Sequence, residues 1–238
     1  MKRLYKHVSQ DKKPEGWTIL LDGRAIKTRA GGFLYAQNED IAKEIAEEWN
    51  RQKDKIDPDS MPFTQILNTR IDQVTKNRNV ISEMVLRYLD TDLICYLAET
   101  PKDLNNLQEH HWKKWRDWAK EFFGYPVLTT SGLDVLEQTQ ELHNSIATHI
   151  DKMSDDMFTL LQVSVPLSGS LILGLALIEG KADAQDVFKA CFVEEHYKDE
   201  FYRIDEYGRD PFSEHKQKAC LKDLQACERY RRLLIRKN

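Results

Sequence analysis

The residues best suited to chemistry lie near the C-terminal end of the chain. The segment 199–210 combines acidic and aromatic side chains with Arg203, on a predicted single helix that ends at Gly208. At 100° of turn per residue, Glu200 shares a helical face with apolar, aromatic and cationic side chains: Val193, His196, Tyr197, Arg203, Ile204 and Tyr207. A carboxylate in such surroundings is costly to desolvate. We therefore expect Glu200 to have a cationic or hydrogen-bonding partner, either within this chain or on another protein.

Paired acids such as Asp199 and Glu200 raise the possibility of glycoside hydrolysis. Adjacent residues on a helix point in different directions, so these two carboxylates cannot flank one bond. We interpret the other candidate aspartates as turn, cap or helix-packing residues: Asp22, Asp72, Asp90 and Asp92.

Metal and nucleophile motifs are absent from the sequence. None of the seven histidines has a glutamate three residues before it, as bundle metal sites require. Ser168-Gly169-Ser170 lacks the pattern of a serine hydrolase and predicts a close helix–helix contact, and Gly31-Gly32 lacks the lysine of a phosphate loop. We expect a protein that is not an enzyme, with no cofactor and no metal.

Three tryptophans lie beside basic residues, an arrangement that can stack nucleic-acid bases. Trp112 and Trp115, however, have core spacing with Ala119 and Phe122, whereas lysine and arginine cover much of the opposite face. The pattern favours a helix core and argues against nucleic acid as a partner.

Secondary-structure signals divide the chain into a strand-rich N-terminal part and a helical remainder. Residues 3–36 predict strands at 5–8, 17–21, 25–28 and 33–35, with hairpin turns at Asp22-Gly23, followed by Arg24, and at Gly31-Gly32. Asn38 predicts the N-cap of an amphipathic helix over 38–53, whose glutamates 44, 47 and 48 should face solvent. Further helices are predicted over 64–74, 80–96, 104–123, 133–149, 155–165, 169–179, 184–207 and 212–236, with breaks at Pro166 and Gly180.

These elements predict an α+β protein with a small N-terminal α+β domain, residues 1–76, and a larger helical bundle, residues 77–238. Met61-Pro62 is interpreted as the hinge between them.

Composition limits the class of partner. The chain has 238 residues and a net charge of −4, so no overall field favours nucleic acid or anionic membrane. The charge is uneven, with eight bases against three acids over residues 1–30 and eight acids against three bases over 194–214. The C-terminal stretch is therefore either a solvated face or an acidic docking surface.

The four cysteines show no Cys-x-x-Cys spacing and indicate a reducing compartment. The N-terminus shows no leader pattern, and the most apolar stretch, 159–178, falls short of a membrane span. We expect a soluble, monomeric protein of the bacterial cytoplasm, or of the mitochondrial matrix if a leader has been removed.

An ordered series of motifs runs from about residue 4 to 235. It comprises Leu21-Asp-Gly-Arg-Ala-Ile-Lys-Thr28, Ala46-Glu-Glu-Trp49 with Gln52, Met61-Pro-Phe-Thr64, Asp72, Tyr88-Leu-Asp-Thr-Asp-Leu-Ile-Cys-Tyr96, Pro101, Leu104, Gln108 with Trp112, Gly169-Ser170, Leu175-Ala176, Asp199-Glu200, Tyr207-Gly208 and Asp210. Each motif is weak alone, but the ordered set resembles the ATP synthase F1 complex assembly factor 2 family.

The resemblance implies an assembly chaperone that holds the unassembled F1 α subunit until the β subunit displaces it. Glu200 would be the leading partner contact, with Asp199 and Asp210 as electrostatic support. Where the family has a glutamine, this chain has Arg203, which could pair with Glu200 one helical turn away and compete with a partner's arginine. The remaining motif residues are interpreted as structural: Asp22, Gly23, Arg24, Met61, Pro62, Trp112, Gly169 and Ser170.

Two alternatives stay open at this stage. One is a small-molecule enzyme with a pocket between the domains, and the other is a generic protein-binding scaffold that uses the basic N-terminal segment.

Overall fold

The computed structural model describes residues 2–131, 135–201 and 211–236. In chain order the strands are β1 (Val8–Lys13), β2 (Gly16–Leu21), β3 (Arg24–Ala25), β4 (Tyr35–Ala36), β5 (Tyr96–Leu97) and β6 (Thr130–Ser131). The α-helices are α1 (Glu39–Arg51), α2 (Pro62–Thr69), α3 (Thr75–Leu86), α4 (Lys102–Phe123), α5 (Gln140–Asp151), α6 (Asp155–Ser168), α7 (Leu171–Ile178), α8 (Ala184–Cys191), α9 (Val193–Phe201) and α10 (Pro211–Ile235). Short 3-10 helices span Pro58–Ser60, Arg87–Leu89 and Leu93–Cys95, and a π-helical turn spans Arg70–Val74. The predicted α+β class is confirmed.

The chain forms two compact units. Unit 1 comprises residues 1–78, 154–160 and 229–238, and unit 2 comprises 79–153 and 161–228. The predicted division at residue 76 did not anticipate that two later segments join the N-terminal unit. Met61 and Pro62 lie inside unit 1, not at its edge.

Unit 1 is built on an antiparallel sheet in which β2 pairs with β1 on one side and with β3 and β4 on the other. Its hairpin turn at Asp22-Gly23 has φ of 46° and 80°, the left-handed pair that a type I′ turn requires. Helix α1 packs on the sheet, and its Ile41 and Ile45 are fully buried, as are Ile19 of β2 and Leu34 next to β4. The two predicted hairpin turns are confirmed.

The first strand is displaced from its predicted position. The backbone N–H groups of Lys6 and His7 donate to the Asp22 carboxylate, and the Asp22 amide donates to the His7 carbonyl at 2.9 Å, so the segment 5–7 is held mainly by one side chain. Pairing of β1 with β2 starts only at Val8.

Unit 2 surrounds α7, whose eight residues are all buried. Helix α4 lies against it and presents Trp112, Trp115 and Ala119 inward, as predicted. Phe122, predicted on the same face, is 42% exposed, and the neighbouring Phe123 is buried instead. The Trp112 indole donates to the Ala190 carbonyl at 2.7 Å, which ties α4 to α8.

Several predicted helix boundaries in unit 2 are wrong. Helix α3 ends at Leu86 and not near Tyr96, since the 3-10 helix Arg87–Leu89 follows it and Asp92 then adopts an extended backbone and caps a second 3-10 helix. Helix α5 begins only at Gln140, where Thr139 accepts a hydrogen bond from the Leu142 amide. Pro166 does not end α6, which continues to Ser168 and stops where Gly169 takes a φ of 66°.

The predicted continuous helix 184–207 is interrupted at Phe192, which lies between α8 and α9 with a non-helical φ of −110° and ψ of 20°. Phe192 and Val193 are both buried, together with Val187 and Ala190 on α8. Neighbouring side chains of a straight helix lie 100° apart, so the break allows both to reach the core.

Within the parts of the chain that the structure describes, no helix is long and apolar enough to cross a membrane.

Candidate functional site

The predicted contact residue Glu200 lies on the exposed C-terminal half of α9. Together with Asp103 and Leu107 of α4 and Tyr197 of α9, it lines a surface hollow of about 360 Å³. The Tyr197 hydroxyl donates to the Asp103 carboxylate over 3.4 Å. This group, Asp103, Leu107, Tyr197 and Glu200, is called the acidic hollow below.

The N-terminal half of α9 is anchored to the rest of unit 2. Val193 is buried, and Gln108 on α4 donates from its amide nitrogen to the Glu194 carboxylate at 2.9 Å while its amide oxygen accepts from the Ala98 backbone. Anchoring at one end holds the exposed end of the helix in a defined position. Glu200 is thus presented from a helix that is tied to α4 at its other end.

The electrostatics of the acidic hollow favour a cation. Burial raises the pKa of Tyr197, and the nearby charges of Asp103 and Glu200 raise it further, so the phenol stays protonated and neutral. Two carboxylates beside an aromatic ring and a leucine suit a lysine or arginine side chain, whose stem is apolar and whose head is charged. Such a site can bind a protein side chain, but it holds no reactive nucleophile.

Of the other predicted contact residues, Asp199 lies within the described part of the chain. Asp199 is half-buried, next to exposed Glu200, and the two side chains have different surroundings as their adjacency predicts. Arg203 and Asp210 lie outside the described residues. Pairing between Glu200 and Arg203 therefore stays a prediction.

Among the residues interpreted as structural, Met61, Pro62, Gly169 and Ser170 lie in the interior or at helix ends, whereas Arg24 is exposed. Met61 is 2% exposed, and Pro62 is the first residue of α2, where a missing N–H costs nothing. Gly169 ends α6, and the Ser170 hydroxyl caps α7 by accepting from the Leu173 amide at 3.0 Å. The segment 168–170 is thus a helix-to-helix link, not the close helix contact that was predicted.

Sequence reasoning missed the role of Glu48, which was expected to face solvent. Glu48 is 6% exposed and accepts from the backbone amides of Phe63 at 2.7 Å and Thr64 at 2.8 Å, and from the Thr64 hydroxyl at 2.7 Å. These amides are the free donors at the start of α2. Burial raises the pKa of Glu48 to about 7, although all three hydrogen bonds oppose the shift.

A second buried carboxylate, Asp92, was predicted only as a turn, cap or packing residue. It caps the 3-10 helix Leu93–Cys95 through the Ile94 amide and accepts from the Ile172 amide of α7 at 3.0 Å. Burial raises its pKa to about 6. The ordered motifs held a signal for both contacts. Glu48 and its partners at 63–64 belong to two motifs of the same series, and so do Asp92 and the segment Gly169-Ser170 that precedes its partner Ile172.

Among the described residues, no group of histidine, cysteine, aspartate and glutamate is placed to hold a metal ion. The four cysteines are free thiols, and Cys95, Cys220 and Cys227 are buried.

Comparison with known proteins points to the same family as the ordered motifs. The sequence profile of the ATP12 chaperone protein family matches residues 2–120, half of the chain. The chain belongs to the ATP12 chaperone family.

Solved structures of ATP12 proteins support this assignment over nearly the full length. Atp12 from Paracoccus denitrificans, in its own form and as a point mutant, is 30% identical, with 98% of this chain and 97% of that chain covered and a TM-score of 0.85. A candidate chaperone of Agrobacterium tumefaciens is 29% identical, with coverage of 98% and 86% and a TM-score of 0.86.

Two yeast proteins are more distant members of the ATP12 group. Protein atp12 of Schizosaccharomyces pombe is 24% identical over 76% of this chain, and protein ATP12 of Saccharomyces cerevisiae is 25% identical over 72%; both are named as mitochondrial. The chain spans 66% and 63% of their respective lengths.

Proposed function

We propose that this protein is an assembly chaperone of ATP synthase that binds the unassembled F1 α subunit and hands it to the β subunit. The observation that carries the proposal is the likeness to bacterial Atp12 over 98% of the chain, in both sequence and fold. The choice of the α subunit as client rests on the family resemblance of the motifs. We place the protein in the bacterial cytoplasm, in line with the bacterial source of the similar structures, with the mitochondrial matrix as the alternative.

The physical task of such a chaperone is to cover surface that the client buries only after assembly. An unpartnered subunit exposes apolar patches and strand edges that promote aggregation. The sequence contains no Gly-x-x-x-x-Gly-Lys-Ser/Thr phosphate loop, so release should follow from competition with the β subunit and not from nucleotide hydrolysis.

Within this proposal the acidic hollow supplies one electrostatic contact. Its carboxylates Asp103 and Glu200 project from two helices, and α9 is anchored by Glu194 and Val193. A lysine or arginine of the client would meet both charges and pack its stem on Leu107 and Tyr197. The positioned charges would orient the client and speed its capture.

The test is suppression of aggregation of an isolated F1 α subunit, followed by light scattering without ATP. We expect the wild-type protein to suppress aggregation. For Glu200→Lys we expect the concentration needed for half-suppression to rise about fivefold, as for loss of about 1 kcal/mol at an interface. Glu83→Lys is the matched control, since Glu83 is an exposed glutamate on α3 and the charge change is identical.

Circular dichroism and thermal unfolding should show the same fold in both variants, because both positions are exposed. A wild-type protein that leaves α-subunit aggregation unchanged would refute the chaperone proposal. A folded Glu200→Lys variant with full activity would remove only Glu200 from the contact.

A further inference from the structure

A groove of about 640 Å³ lies on the surface of unit 1, and its lining shares no residue with the acidic hollow. Its lining includes three basic residues and three aliphatic ones: Lys2, Arg24, Lys27, Leu4, Leu21 and Ile56. Five of these six come from the N-terminal segment or from the motif 21–28, in which residues 22–24 were interpreted as a hairpin turn.

Turn chemistry explains only part of that motif. Asp22 and Gly23 supply the two left-handed residues of the turn. The Asp22 carboxylate also accepts from the amides of Lys6 and His7, and these backbone hydrogen bonds hold its pKa below the usual range. A type I′ turn makes no use of the side chains of Arg24 and Lys27, both of which are exposed along the groove.

The groove carries an excess of positive charge. In the described parts of the chain, no ion pair involves Lys2, Arg24 or Lys27. The acidic lining residue Asp22 is already engaged by backbone donors, and Lys27 lies 4.7 Å from the centre of the Phe33 ring. Charges of one sign along a concave wall reinforce each other and attract an anionic group.

The apolar part of the groove is held open to solvent. The Leu4 side chain is 84% exposed. Its neighbours are anchored, since the Arg3 amide donates to the Asp54 carbonyl at 3.0 Å and the Tyr5 hydroxyl donates to the Trp49 carbonyl at 2.6 Å. Because the backbone on both sides is already ordered, a partner that covers Leu4 gains apolar burial at little cost in chain entropy.

We propose that this groove binds an acidic segment of the client polypeptide that carries at least one aliphatic side chain. The carboxylates of the segment would pair with Arg24, Lys27 and Lys2, and its aliphatic side chain would pack on Leu4 and Ile56. This inference rests on the proposed chaperone function. It gives the client a second contact of opposite charge to the acidic hollow.

Direct binding tests the groove by fluorescence anisotropy. The probe is a short fluorescein-labelled peptide of glutamate and leucine, and its lysine–leucine counterpart serves as the charge control. We expect Arg24→Glu/Lys27→Glu to raise the Kd for the acidic peptide at least about tenfold, and Leu4→Ser to raise it about fivefold. Raising the salt concentration should weaken binding to the wild-type protein.

The matched control is Lys120→Glu/Lys181→Glu, two exposed lysines of unit 2 with the same change in net charge, which should bind the acidic peptide like the wild-type protein. The neutral variant Arg24→Gln/Lys27→Gln provides a milder change should charge reversal disturb folding. Equal binding of the lysine peptide, unchanged affinity in the groove variants, or tighter binding of a single-stranded oligonucleotide would each overturn the proposal.

The α-subunit aggregation assay separates this inference from the proposed function. If the wild-type protein suppresses aggregation and the Arg24→Glu/Lys27→Glu variant does so equally well, the groove is not a client contact although the chaperone function holds. If the wild-type protein binds the acidic peptide but does not suppress α-subunit aggregation, the groove is a binding site for acidic segments and the α subunit is not the client.

Discussion

At the scale of single residues, buried carboxylates organise this protein. Glu48 satisfies two backbone amides at the start of α2, and Asp92 does the same for a 3-10 helix and for α7. Both are nearly inaccessible to solvent, and burial raises the pKa of each toward neutrality. Each carboxylate thus joins segments that are distant in sequence, and each makes stability depend on pH.

Glu48 gives a prediction about the free energy of unfolding. Its pKa rises from an ordinary 4.5 to about 7, so between these pH values the folded state keeps a proton that the unfolded chain has lost. Its contribution to stability is therefore fully present below pH 4.5 and is lost as pH rises through 7. The slope reaches at most about 1.4 kcal/mol per pH unit.

Urea denaturation of the wild type and of Glu48→Gln across this pH range measures the effect. We expect the variant to lack the Glu48 component, so that the stability difference between the two proteins changes with pH. Glu47→Gln is the matched control, because Glu47 is adjacent and exposed and forms a surface ion pair with Arg51. A pH-independent difference between wild type and Glu48→Gln would contradict the raised pKa.

At the scale of elements, α7 is the centre of unit 2. All eight of its residues are buried, and α6 approaches it closely at Gly174. A Cβ at this position would lie 2.8 Å from Val165 Cγ2 and 3.2 Å from Ser164 Oγ. The glycine is therefore required by the close approach of α6, even though glycine disfavours helix.

In Gly174→Ala, overpacking should cost about 1–3 kcal/mol against a gain of roughly 1 kcal/mol in helix propensity, so the free energy of unfolding should fall by up to about 2 kcal/mol. Thermal and urea unfolding report the loss. The double variant Gly174→Ala/Val165→Ala should destabilise less than the sum of the single changes, because it removes the clashing methyl group. A more stable Gly174→Ala protein would mean that α6 can move aside.

At the scale of the whole molecule, unit 1 is assembled from three separate stretches of the chain. Tyr230 is fully buried, with its ring 5.2 Å from that of Phe63. Arg70 pairs with Asp156 at 3.0 Å, and Arg78 pairs with Asp155 at 2.6 Å. Residues of the segments 154–160 and 229–236 are therefore part of the core and charge network of the N-terminal unit.

A fragment of residues 1–78 should consequently show no cooperative thermal transition by circular dichroism. In the full chain, Tyr230→Ala should destabilise by about 3–5 kcal/mol, the range for loss of a large buried aromatic. Tyr230→Phe keeps the ring and should retain most of the stability. A sigmoidal unfolding curve for the 1–78 fragment would show that the later segments are dispensable.

The sequence alone was sufficient where local chemistry decides structure. Asp22-Gly23 specified its hairpin turn and Asn38 capped α1, because left-handed backbone and side-chain capping depend on adjacent residues. Helical periodicity placed Trp112 in the core. The ordered motifs indicated the family, and they also singled out Glu200, which is exposed and whose role in docking stays a prediction.

Tertiary structure decided what depends on residues far apart in the chain. Glu48 has the spacing of a solvated glutamate and becomes buried only because α2 brings free amides to it. Three other features also depend on contacts between distant parts of the chain. They are the helix break at Phe192, the inclusion of Tyr230 in unit 1, and the groove that Arg24 and Lys27 line together with Leu4. Periodicity reports which face of an element is apolar, whereas the partner of that face is chosen by packing across the fold.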